Sequence, residues 1–149
     1  MILRLVTVFV LAASAAWACE CRQPTVKEAR DYADVVFQGT IVSFRESSKD
    51  YGVPGIFRST RKVAVFRVTR VWKGEVGQTF EMPAVEELAA CTGFWPTFLK
   101  EGTELLVYAN RARGASEYYT SICTRTGLAS KSKDYDELGL GKEPAGNSK

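Results

Sequence analysis

The sequence predicts a mainly β domain, and three observations support this. Apolar and polar residues alternate over several short segments, as they do in strands with one buried face. Clusters of Gly and Pro separate these segments. Four cysteines follow an apolar N-terminal segment, which is typical of an exported, disulfide-bonded domain. With 149 residues, the chain has room for one such domain.

The first 18 residues have the pattern of a signal peptide. Arg4 precedes an apolar run at residues 5–13, and residues 16–18 fit an A-x-A cleavage site. The run is shorter than the roughly 20 residues that a membrane-spanning helix needs. We therefore expect cleavage after residue 18, a mature chain that begins at Cys19 without a transmembrane anchor, and a secreted or periplasmic location.

The four cysteines are expected to form two disulfides. One residue separates Cys19 from Cys21, so these two are poorly placed to pair with each other. Each is expected to bond to Cys91 or Cys123, and the spacing alone leaves both arrangements open. Lipidation of Cys19 is an alternative, although Trp17 stands where a lipoprotein signal usually has a small residue.

Helical segments are predicted on both sides of the strands. Thr25 and Glu28 match a capping box, which predicts a short helix that runs to about Tyr32. Residues 130–138 are expected to hold one or two further helical turns. The polar, Gly-rich residues 139–149 are expected to be disordered, so the domain proper spans residues 19–128.

Five segments are predicted to be strands: Val35–Phe44, Lys62–Lys73, Gln78–Met82, Thr103–Ala109 and Glu117–Cys123. Gly39 indicates a bend or a close backbone approach in the first strand. The apolar spacing of the second strand changes before Val71, which a bulge near residues 67–70 would repair. These features favour a five-stranded OB-type Greek-key barrel, with a β-sandwich as the alternative.

Several motifs follow one another in order: Cys19-Glu20-Cys21, Ala33-Asp-Val-Val-Phe37-x-Gly39, Phe66-x-Val68-x-x-Val71-Trp72-Lys73-Gly74, Leu106-Val-Tyr108-Ala109 and Thr120-Ser121-x-Cys123-x-Arg125-Thr126. Together they resemble the netrin-like domain of the tissue inhibitors of metalloproteinases, over roughly residues 19–128. The resemblance implies an OB-type barrel and the disulfides Cys19–Cys91 and Cys21–Cys123. The family's third disulfide and second domain have no counterpart in this sequence, so the chain looks like a minimal, bacterial-type member.

The resemblance also implies a mechanism. In the family, the free α-amino group and the carbonyl oxygen of the first Cys chelate the catalytic zinc of a target protease, a role that falls here on Cys19. An α-amino group has a pKa near 8 and loses its proton at modest cost, and a catalytic zinc keeps one position open. The implied protease-contact ridge consists of Glu20, Cys21, Arg22, Cys91, Thr92, Phe94 and Trp95. Because the zinc belongs to the protease, we expect no metal or cofactor in this protein.

Glu20 is a departure from the family, whose second residue enters an S1′ pocket that is usually apolar. Burying a carboxylate without a partner is expensive. Glu20 therefore disfavours the ordinary matrix metalloproteinases as targets. A protease with a basic pocket remains open as a target. The alternative function is a non-inhibitory binding module of the cell envelope or the extracellular space.

Composition disfavours other classes of function. The chain has no His, the commonest general base and a common zinc ligand, and no catalytic constellation can be assembled, so we expect no enzyme. Its formal net charge of +3, which includes Arg4 of the leader, is too small to argue for nucleic acid. We expect a monomer whose partner is a zinc metalloprotease.

Overall fold

The computed structural model describes residues 21–51, 60–86, 91–111 and 116–146. The predicted signal peptide, Cys19 and Glu20 lie outside these ranges. Within them, no helix has the length and apolar character that crossing a bilayer requires.

The described ranges are mainly β, as predicted, and two short α-helices flank the strands. The elements are α1 (Val26–Tyr32), β1 (Val35–Glu46), β2 (Lys62–Lys73), β3 (Thr79–Pro83), β4 (Glu104–Arg111), β5 (Tyr118–Tyr119), β6 (Gly127–Leu128) and α2 (Tyr135–Leu138). Single turns of 3₁₀ helix lie at Pro96–Phe98 and Ala129–Lys131. The helices predicted at both ends of the domain are therefore confirmed.

Strands β1 to β5 form a nearly closed antiparallel barrel in the order β3-β2-β1-β4-β5, and β6 pairs with β4 beside β5. Phe80 of β3 and Tyr118 of β5 meet across the closure, with ring centroids 5.2 Å apart. One sheet thus curls until its two edges approach each other. This is the predicted OB-type barrel and not a sandwich of two separate sheets.

The curvature comes from irregular pairing between β1 and β2. Gly39 lies opposite Val68 while Gln38 lies opposite Arg70, so Thr69 is the extra residue of a bulge, where the sequence predicted one. A Cβ at Gly39 would stand 3.0 Å from the Arg67 carbonyl oxygen, which explains the glycine. Two further register shifts lie along the same pair. Bulges bend and twist a strand, and three of them help a small sheet to close.

Strand β4 lies between two hydrophobic cores. Leu105, Val107 and Ala109 face the barrel interior, which is filled by apolar side chains from β1, β2 and β3. Leu106 and Tyr108 face the other way and pack against α1, α2 and Trp72. The prediction that this strand is apolar on both faces is confirmed. The helices therefore cover one side of the sheet and hold the chain that leads into β1.

A capping box starts α1 as predicted. The Glu28 backbone N–H donates to the Thr25 hydroxyl oxygen (3.2 Å), and the Glu28 carboxylate accepts from the Thr25 backbone N–H (2.8 Å). The second hydrogen bond lowers the pKa of Glu28, because it favours the charged carboxylate. A group with a lowered pKa stabilises the fold above its ordinary pKa and loses that effect as the pH falls through the lowered value.

We expect Thr25→Ala to lower the free energy of unfolding by about 1 kcal/mol at pH 7, since α1 loses its N-cap. The loss should shrink once the solution is acid enough to protonate Glu28, because the Thr25 hydroxyl that the variant lacks also donates to the Glu28 carboxylate (3.0 Å). Urea unfolding of both proteins at neutral and acid pH measures this. Ser48→Ala, at an exposed position, serves as the control, and an equal loss at both pH values would argue against a coupled capping box.

The predicted strand at residues 117–123 is wrong beyond Tyr119. β5 has two residues, and Ser121 makes only an isolated bridge with Thr92. The chain then turns, because the backbone N–H of Thr124 donates to the Ser121 carbonyl oxygen (3.0 Å). This turn brings Cys123 to Cys21. It also leads into β6, which the sequence did not predict.

The predicted disorder of the C-terminal tail is wrong for residues 139–146. Strand β3 covers β2 only as far as Arg67, so the edge of β2 beyond it is open. The tail occupies that edge: Val71 and Lys142 exchange backbone hydrogen bonds of 2.8 and 2.7 Å, and the Trp72 indole N–H donates to the Gly139 carbonyl oxygen (2.8 Å). The unpaired backbone groups on this edge of β2 thus explain why the polar residues 139–146 are ordered.

Gly141→Ala should lower the free energy of unfolding by about 1–2 kcal/mol, because Gly141 has a φ of +65°. Its Cβ would also lie 2.9 Å from the Trp72 indole nitrogen. Gly102→Ala is the matched control, since Gly102 also has a positive φ (+83°) but open space around the added Cβ. Urea unfolding should rank Gly141→Ala as the more damaging change, and the reverse ranking would contradict tail docking.

Candidate functional site

Three segments meet at one end of the barrel: the arm at residues 21–24, the loop at residues 91–95 and the turn at residues 120–126. We refer to the first of these as the N-terminal arm. Cys21 and Cys123, 102 positions apart in sequence, form a disulfide with a Cα–Cα distance of 5.1 Å. The pairing implied by the family resemblance is therefore confirmed for this bond, and it fixes the arm to the turn.

Cys91 is also disulfide-bonded. Its predicted partner, Cys19, lies outside the described residues, so that pairing stays a prediction. The sulfur atoms of Cys21, Cys91 and Cys123 all lie within 4.8 Å of one another, which brings both disulfides to the same point. Zinc binds thiolate sulfur, and these sulfurs are already in disulfides, so the cluster is a covalent staple and not a set of metal ligands.

The loop that carries Cys91 is hydrogen-bonded to the turn at residues 120–126. The Cys91 carbonyl oxygen accepts from the Ser121 hydroxyl and from the Ile122 backbone N–H (3.1 Å). The Gly93 N–H donates to the Thr120 carbonyl oxygen (2.8 Å). These bonds hold Cys91 at a φ of +57°, a conformation that non-glycine residues seldom adopt. The loop is therefore a rigid platform beside the N-terminal arm.

The two aromatic residues of this loop have different environments. Phe94 is buried (2% exposed) and stacks on Phe66, with ring centroids 6.2 Å apart. The prediction that Phe94 belongs to a contact ridge is therefore wrong, because its ring completes the barrel core. Trp95 is 45% exposed. Of the two, only Trp95 offers aromatic surface to a partner.

The remaining ridge residues occupy different positions. Arg22 is exposed and forms an ion pair with Glu28 (3.4 Å). Thr92 is partly buried opposite Ser121. Glu20 lies outside the described residues. The structure thus brings Cys21, Arg22, Cys91, Thr92 and Trp95 to one end of the barrel.

A buried ion pair ties the N-terminal arm to the C-terminal segment. The Arg125 guanidinium donates from Nε to the Asp134 carboxylate (2.8 Å) and from Nη1 to the Pro24 carbonyl oxygen (3.0 Å). The Asp134 side chain is 3% exposed and that of Arg125 is 25% exposed. Asp134 raises the pKa of Arg125, since the carboxylate favours the charged guanidinium. Arg125 therefore holds the arm at Pro24, three residues after the disulfide-bonded Cys21.

Asp134 has a second donor, the hydroxyl of Tyr108 (2.8 Å). Burial and this hydrogen bond raise the pKa of the Tyr108 hydroxyl, so it stays protonated and keeps donating. The hydroxyls of Thr120 and Thr126 both donate to the Tyr108 backbone carbonyl oxygen (2.9 and 3.1 Å). The turn, β4 and the C-terminal segment are thereby joined in one satisfied polar network.

Sequence reasoning missed most of this network. Arg125 was part of one of the motifs that suggested the family, so a signal for it existed. Asp134 stood in a polar stretch and Tyr108 in a strand, and neither pattern indicates an ion-pair network.

The fold and the site define a small β-barrel of the OB type whose N-terminal arm is fixed by the Cys21–Cys123 disulfide. Comparison with models of known protein families gives no match, and comparison with curated proteins gives none either. The inference of function therefore depends on the geometry of the arm and on the motifs of the sequence.

Proposed function

We propose that this protein is an exported netrin-like domain that inhibits a zinc metalloprotease, with the Cys19 amine and carbonyl oxygen chelating the protease's zinc. The observation that carries the proposal is the double anchoring of the N-terminal arm. A disulfide holds Cys21, and the Arg125 guanidinium holds the Pro24 carbonyl oxygen. After cleavage at residue 18, only Cys19 and Glu20 would precede the first anchor.

The short distance between the expected N-terminus at Cys19 and the anchored Cys21 supports a chelating role. Two residues span at most about 7 Å, so the new α-amino group would stay close to the staple whatever its local conformation. The predicted Cys19–Cys91 bond would restrict it further, since the Cys91 sulfur lies within 4.8 Å of the Cys21 sulfur. A ligand held in this way loses little conformational entropy on binding, and that favours affinity.

Trp95 supports a protein partner for the same end of the barrel. Partly exposed aromatic side chains on a rigid support are typical anchors of protein interfaces. Trp95 follows closely after Cys91 in a hydrogen-bonded loop. A protease whose zinc is chelated at Cys19 would therefore meet Trp95 beside its cleft.

The proposal is tested with mature protein that begins at Cys19, titrated against a panel of zinc proteases. A matched protein with one additional N-terminal Ala should lose inhibition, because its α-amino group no longer belongs to the chelating residue. A Glu20→Thr variant should gain potency toward proteases with an apolar S1′ pocket. Equal inhibition by the extended protein would exclude chelation, and no inhibition by any of the three would favour the non-inhibitory binding module.

A further inference from the structure

A cavity of about 350 Å³ opens beside Trp95 and the N-terminal arm, with Gln23 and Arg125 in its lining. Ile122 and Leu128, both partly buried, supply apolar lining, and Trp95 supplies an aromatic wall. Lys131 and Lys133 also line the cavity, and both are exposed. The cavity therefore combines an apolar patch with polar and cationic groups, on segments that the disulfide and the polar network hold.

The charge of this cavity is not balanced locally. Asp134 is the one acidic residue among the described lining residues, and its carboxylate already binds Arg125 and Tyr108. In the described part of the chain, no carboxylate lies within ion-pair distance of Lys131 or Lys133. The two lysines thus present positive charge next to an apolar surface.

We propose that this cavity binds an acidic peptide segment in which an apolar or aromatic side chain is flanked by carboxylates. The apolar side chain would lie against Trp95, Ile122 and Leu128, and the carboxylates would meet the two lysines. A cavity of this volume suits one or two side chains, whereas a sulfated polysaccharide needs an extended row of cations. Such charge complementarity mainly sets specificity and association rate.

The test uses the mature protein and a blocked pentapeptide with a central phenylalanine between pairs of glutamates. Titration should change the emission of Trp95 in a saturable way, and Trp95→Phe should abolish that change, because the other tryptophan of the described residues, Trp72, is buried. Binding should weaken about tenfold in the Lys131→Gln/Lys133→Gln double variant and at high salt.

The control is Lys62→Gln/Lys142→Gln, which removes the same charge from exposed lysines that do not line the cavity. Equal weakening by both double variants, equal binding of a peptide with glutamines in place of glutamates, or no binding would overturn the proposal. Displacement of the peptide by a lower concentration of a heparin hexasaccharide would overturn it in favour of a glycan. Because the assay contains no protease, its outcome is independent of zinc chelation.

Discussion

Replacing both Cys21 and Cys123 with alanine is expected to lower the free energy of unfolding by about 4–5 kcal/mol. The bond joins positions 102 apart, and the chain-entropy model assigns about that much to a loop of this length. The loss should appear in urea unfolding as a lower midpoint. A loss below about 1 kcal/mol would mean that the hydrogen bonds of the arm and the turn already constrain the chain.

The same variant should also release the N-terminal arm. In the native protein, the disulfide and the Arg125 hydrogen bond stand on either side of the exposed Arg22. We expect trypsin to cleave after Arg22 much faster in the double variant, under conditions where the barrel remains folded. Lys49→Gln, which removes an exposed trypsin site on the loop after β1, provides a control for cleavage elsewhere. Unchanged cleavage after Arg22 would contradict anchoring of the arm by this bond.

Asp134→Asn is expected to lower the free energy of unfolding by about 3 kcal/mol. The change leaves Arg125 without its counter-ion, and removing one partner of a buried pair costs 3–5 kcal/mol. We expect the lower end of that range because the Arg125 side chain is 25% exposed. Urea unfolding at pH 7 measures the effect, and faster tryptic cleavage after Arg22 should accompany it.

Asp31→Asn is the matched control for this prediction. Asp31 forms an ion pair with Lys27 on the surface of α1, with side chains 61% and 82% exposed. Exposed pairs contribute little, so this variant should stay close to the wild type in stability. If the two asparagine variants lost the same stability, the Asp134 network would have no special role in holding the arm.

The sequence predicted the barrel because its signals are local. Gly39 marked a close backbone approach, and the interrupted apolar spacing before Val71 marked the bulge at Thr69. The capping box at Thr25 and the two apolar faces of β4 are likewise predicted from the sequence. Each of these features depends on a few neighbouring residues, whose pattern reports their structure directly.

The errors concern contacts between distant segments. The tail is ordered because β3 stops at Arg67 and leaves an edge of β2 open, which depends on the length of another strand. Phe94 is buried because its loop folds back toward Phe66, about 30 positions earlier. The Asp134 network likewise unites residues from β4, the turn and the C-terminal segment. The pattern of neighbouring residues carries no information on contacts between segments that are distant in sequence.

Chelation of a protease's zinc by Cys19 is tested most directly with a target whose zinc is replaced by cobalt. The visible absorption of cobalt reports its ligands, and a catalytic site can expand from four to five ligands. Addition of the mature protein should change this spectrum in proportion to inhibition, while the Ala-extended protein should leave it unaltered. An unchanged spectrum under full inhibition by the mature protein would contradict chelation and show that inhibition depends on contacts elsewhere on the barrel.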